Sequence, residues 1–138
     1  MYQKLDTKKP DDDAVRKMYQ ARNQLVEQKM REIWAMRGWT IDWDWHCGFC
    51  DDAEFLFDTE GKRLYPIENG IPHETSIATL LDKHKLNVTY MKKTVKIINK
   101  QADNPVTGSG DCIYMAYINW LLAFEKQKFE EKNKCAAN

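Results

Sequence analysis

The chain has no net charge, no apolar run of bilayer-spanning length, no internal repeat and no low-complexity tract, and each absence narrows what the protein does. Its 21 basic and 21 acidic residues cancel, so no overall field holds it to nucleic acid or to an anionic membrane, and only local patches could do so. The apolar stretch at 112–124 is well short of the ~20 residues that span a bilayer. The first residues, through Asp13, lack the apolar segment of a signal peptide and carry acids too early for an organellar presequence. A cytoplasmic location is therefore the expectation. Four cysteines, at 47, 50, 112 and 135, are irregularly spaced, which argues against a disulfide-stapled secreted scaffold and leaves reduced thiols or metal ligands. Without an export route, the glycosylation sequon Asn87-Val88-Thr89 has no use.

A length of 138 residues suits one domain with a real core and is too short for two ordinary ones. The polar, patternless residues 1–10 read as a flexible N-terminal arm, and 11–138 as a single α+β domain. After the arm, Val15, Met18, Tyr19, Leu25, Val26, Met30, Ile33 and Trp34 recur at three- and four-residue steps up to Gly38, which predicts a long amphipathic helix over 12–37. From Thr40 the period becomes two. Strands are predicted at 40–46, 54–58 and 63–67, with Gly61 in the second connection and Pro66 marking an edge strand. The meander's Trp and Phe face needs helices to cover it. Two short helices are predicted next, one through Ile77, Leu80, Leu81 and His84, the other over 87–98 with Val88, Met91, Val95 and Ile98 as a narrow stripe. A last helix, capped by Asp111, runs from a buried half at 112–124 into a solvated extension at 125–134. The expected fold is thus α+β: a long N-terminal helix, a three-stranded antiparallel meander, then two or three helices with the last one buried.

Chemistry concentrates at Thr40-Ile-Asp-Trp-Asp-Trp-His-Cys-Gly-Phe-Cys50. Cys47 and Cys50 have the spacing of a metal knuckle or a dithiol redox site. Four ligands make a structural zinc site, and His46 and His73 are the donors chosen to complete it, with His84 and Cys112 as further candidates. A thioredoxin-like reading needs parallel βαβ units that this pattern does not offer, and the plain alternative is two thiols in a tight inter-strand turn. Asp42, Asp44 and His46 share one face of their strand, with Asp51, Asp52 and Glu54 close in sequence. Such a carboxylate face suits a divalent ion and a metal-dependent nuclease. Solvation of alternate positions in a half-buried strand explains the same pattern. Cys112, behind Gly108-Ser109-Gly110, stands at the start of a predicted helix as a candidate nucleophile, but the glycines lack the Lys-Ser/Thr ending of a phosphate loop.

From Lys83 to Lys100 the chain has six lysines and no acid. With helices predicted on either side of residue 86, this region resembles the helix-turn-helix family. That resemblance implies DNA binding through Thr89, Lys92, Lys93, Lys96 and Lys100, although the connection is longer than the family's and has no glycine. Five tryptophans are many for this size, and large aromatics anchor binding surfaces as well as cores. Trp39, Tyr65 and Tyr90 are the candidate partner contacts. In size, charge separation and aromatic excess the chain is similar in type to small phage-encoded accessory proteins that modulate host machinery. The favoured reading is a small intracellular, non-enzymatic binding protein with a protein partner. It carries either no cofactor or one structural zinc, and its long helix offers a route to a homodimer. The alternatives are the DNA-binding regulator and the metal-dependent nuclease.

Overall fold

The structure, a computed structural model, describes residues 12–136, and the predicted arm at 1–10 lies outside the described residues. Helix α1 (Asp12–Met36) buries Val26, Met30, Ile33 and Trp34, all from its C-terminal half. Its earlier apolar residues Met18, Tyr19 and Leu25 stay exposed. Gly38, at φ +79°, stops the helix, and the Trp39 amide returns to the Trp34 carbonyl at 2.9 Å. Strands β1 (Thr40–His46), β2 (Asp51–Phe57) and β3 (Arg63–Pro66) then form the antiparallel meander in sequence order. Gly61, at φ +81°, turns the chain between the last two. Helix α2 (Ile67–Gly70), a 3₁₀ turn (Glu74–Ser76) and helix α3 (Ile77–Lys83) lead on.

Residues 87–98 do not form the predicted second helix. They are a β-hairpin, β4 (Asn87–Tyr90) and β5 (Val95–Ile98), and β6 (Thr107–Gly110) joins it as the third strand of a second antiparallel sheet. The reason lies in the residue types. Val88, Thr89, Thr94, Val95, Ile97 and Ile98 are β-branched and stiff at χ1, which suits a pleated surface better than a helix. In β5 the burial also alternates, with Val95 and Ile97 inside and Lys96 outside. The apolar spacing at Val88, Met91, Val95 and Ile98 fitted a helix only because Met91, exposed at the hairpin turn, was counted with the core.

Helix α4 (Ile113–Ala136) is the buried C-terminal helix that the apolar run predicts, with Ala116, Ile118 and Trp120 at or near full burial. Val95 and Ile97 of β5 share its core cluster with Ile33 and Trp34 of α1 and Leu56 of β2. Strand β6 lies so near the helix that both its glycines face helix atoms with no room for a side chain. The Asn119 side chain donates to the Ser109 carbonyl at 2.7 Å, fixing the register of the contact. The glycine pair of 108–110 is thus a packing device.

Glu125, expected in the solvated extension, is buried instead and takes two hydrogen bonds from Arg37, at 2.6 and 3.2 Å. This pair ties the end of α1 to α4. Removing the carboxylate leaves Arg37 partly desolvated without its partner, so Glu125→Ala is expected to cost about 2 kcal/mol, the low side of a broken buried pair because Arg37 keeps some contact with water. Urea unfolding of the variant against the parent measures it. Among the described residues no helix is long and apolar enough to cross a membrane.

Candidate functional site

Strand pairing places Ile41 opposite Leu56, Trp43 opposite Glu54 and Trp45 opposite Asp52. Directly opposed residues of an antiparallel pair point to the same side, so these six side chains share one face of the β1–β2 hairpin. Leu56 is fully buried, and Ile41 packs against the core. At about 3.4 Å per residue, Trp43 and Trp45 lie progressively further along the strand, beyond what the helices cover. They are 64% and 52% exposed. The sequence expectation that helices cover the Trp face holds only in part: the face that enters the core at Ile41 leaves it again two residues later.

The loop at the tip is Cys47-Gly48-Phe49-Cys50, closed by the Phe49 amide on the His46 carbonyl at 3.2 Å. Cys50 occupies the left-handed position at φ +49°, where a side chain is uncommon. Phe49 stacks on the His46 ring at 4.3 Å and is 59% exposed. Three large aromatics therefore stand in water at one end of the hairpin, with Glu54 and Asp52 on the face of the two tryptophans and Asp42, Asp44 and Asp51 on the other.

The opposite face is held by local bonds. Arg63 lies over the Phe55 ring at 4.4 Å and donates to Asp44 Oδ2 at 3.2 Å and to the Trp45 carbonyl at 3.1 Å. Asp42 and Asp44 each accept the amide of the following residue at 2.8 Å, and His46 Nδ1 accepts that of Gly48 at 2.9 Å. Asp42, Asp44 and His46 thus serve the hairpin's own structure in this arrangement.

His46, Cys47 and Cys50 share the tip, but His73 stands elsewhere, lining a cavity of about 640 Å³ with Arg22 and Tyr114. Among the described residues no group of three or more His, Cys, Asp and Glu is placed to hold a metal ion. The four cysteines are free, and the Cys50 thiol donates to the Cys47 carbonyl at 3.5 Å. His84 packs against Trp120 at 5.3 Å, where burial, reinforced by Lys83 and Lys128, lowers its pKa.

Compared with protein-family models, curated proteins and solved structures, the chain matches none. The site therefore rests on its own geometry.

The lysine set is gathered, but not on a helix, so the recognition-helix placement of Thr89, Lys92, Lys93, Lys96 and Lys100 is corrected. Lys92 and Lys93 form the tip of the β4–β5 hairpin, between Met91 and Thr94. Thr89, Lys96 and Ser109 stand in register across the three strands on the exposed side of the sheet, and Lys100 follows β5. Of the proposed partner contacts, Tyr90 is 71% exposed, whereas Trp39 and Tyr65 are half-buried against the core, Trp39 beneath the Arg37 guanidinium at 4.9 Å. Trp43, Trp45 and Phe49 were missed as surface residues. Alternation assigns a residue to a face and is silent on where the covering layer stops.

Proposed function

We propose that this protein is an intracellular binding module that grips a basic segment of a partner protein with the end of its β1–β2 hairpin. The observation that carries the reading is the exposure of Trp43, Trp45 and Phe49 on a two-stranded projection flanked by carboxylates. Water-exposed tryptophans lose apolar contact surface to solvent, and burial against a partner recovers it, which is why such residues dominate binding energy. The surrounding acids select the sign of the partner and speed its approach. The four free cysteines support a reducing, intracellular setting. No catalytic step enters this reading. Titrating the protein with a lysine- and arginine-rich peptide, followed by tryptophan fluorescence, tests it: saturable binding that weakens with salt is expected, and no change at low salt would sink the proposal.

A second reading is favoured by one observation, the lysines collected on the open face and tip of the second sheet. A sheet with lysine, threonine and serine on its free side can track a phosphate backbone without a recognition helix. Lys92→Glu with Lys96→Glu is then expected to weaken binding to single-stranded DNA at least about tenfold and to lower the slope of affinity against salt by about 1.4. Filter binding across a salt series measures both, and a parent protein that binds no DNA at low salt removes the reading.

A further inference from the structure

Beside the exposed hairpin face lies a cleft of about 240 Å³, walled by Trp43, Phe49 and Pro66 and edged by Asp52, Glu54 and Glu68. Its lining comes from β1, the tip loop, β2, the end of β3 and the start of α2. We propose that this cleft receives the guanidinium of an arginine in the partner's basic segment; the inference rests on the binding role proposed for the hairpin.

Charge and shape both point to that occupant. Three carboxylates border the cleft, and Arg31 of α1, 3.5 Å from Glu54 and shared with Glu27, offsets part of their charge. Asp52 and Glu68 carry no ion pair among the described residues. An incoming cation thus meets uncompensated negative charge from two elements, the hairpin and α2. Aromatic walls add attraction to a cation over the ring face, and the indole is the strongest such surface among side chains. The volume suits one long side chain. Between arginine and lysine, the flat guanidinium stacks on an aromatic wall while its fork reaches carboxylates on two sides. An ammonium is a more strongly hydrated point charge and gains less from the ring.

The same arrangement already occurs within the molecule. Arg63 lies over Phe55 and bonds to Asp44 on the other side of the hairpin, and Arg22 lies over Tyr114 while paired with Glu74. In each case an aromatic ring and a carboxylate together hold a guanidinium. The cleft at Trp43 supplies the ring and the carboxylates with the guanidinium left to come from outside.

The test compares tetra-arginine and tetra-lysine peptides on the full chain by calorimetric titration, in the parent and in Glu68→Gln. Glu68 lies on α2, outside the hairpin, and is exposed, so its replacement leaves the fold and the aromatic projection in place. The expected result is at least about fivefold tighter binding of the arginine peptide, consistent with a partly desolvated cation–aromatic contact, and loss of that preference in Glu68→Gln. Equal affinities in the parent, a preference for lysine, or a Glu68→Gln effect shared by both peptides would overturn the cleft assignment and leave the hairpin's binding role standing. Binding of neither peptide would overturn both.

Discussion

Gly108→Ala is expected to lower the thermal midpoint by about 10 °C, equivalent to roughly 3 kcal/mol for a chain of this length. A Cβ built at residue 108 falls 2.1 Å from the Trp120 amide nitrogen, 2.4 Å from its Cα and 2.6 Å from the Ala116 carbonyl oxygen. All three are backbone atoms of α4 in the middle of the core, so no rotamer change relieves the clash. Relief requires β6 and α4 to separate, which opens the packing of Ile97, Ala116 and Trp120 and strains the Asn119 bond to the Ser109 carbonyl. Gly61→Ala is the control. Its Cβ meets nothing within 4 Å, and its penalty is that of placing a side chain at φ +81°, about 1 kcal/mol. Thermal unfolding of both variants ranks them, and a Gly108→Ala midpoint no lower than that of Gly61→Ala would disprove the close approach of strand and helix.

The contrast between these glycines also marks what the sequence made legible. Gly61 sits between two strand-like runs, a local signal, and the turn is where that signal places it. Gly108 looked like part of a loop because its reason for being glycine is a helix backbone eight to twelve residues further along, which local pattern does not show. Helix α1 was readable because its apolar periodicity persists over several turns, and α4 because its nearly unbroken apolar run at 112–124 has to be buried. The meander was readable because its alternation and turn residues agree. Residues 87–98 were not, because four apolar positions satisfied a helical stripe while the density of β-branched residues argued for strands, and the two signals had to be weighed against each other. Glu125 was misplaced for a further reason: a single charged residue looks solvated until its partner, here Arg37 just beyond the end of α1, is known.

The proposed binding surface was half legible. The run from Thr40 to Cys50 stood out, and its residues do meet at one end of the hairpin, but the aromatic side chains were assigned to the core and the chemistry to the cysteines and acids. What decides between core and surface is the reach of the covering layer, and in the first sheet the core cluster takes in Ile41 and Leu56 but not Trp43 or Trp45. Exposed side chains outside that boundary cost the folded state little when removed. This gives the second large expectation. Trp43→Ala with Trp45→Ala is expected to weaken binding of the basic peptide at least 100-fold, since anchor tryptophans at an interface are each worth about 2 kcal/mol or more and about 1.4 kcal/mol corresponds to tenfold. Unfolding free energy should change by less than about 1 kcal/mol, because both side chains are more than half exposed in the free protein. By comparison Trp34→Ala, which empties a fully buried site, should cost about 3–5 kcal/mol. Peptide titration and urea unfolding on the same three proteins separate the roles. A double variant that binds unchanged removes the hairpin from the interface, and one that unfolds like Trp34→Ala places Trp43 and Trp45 back in the core.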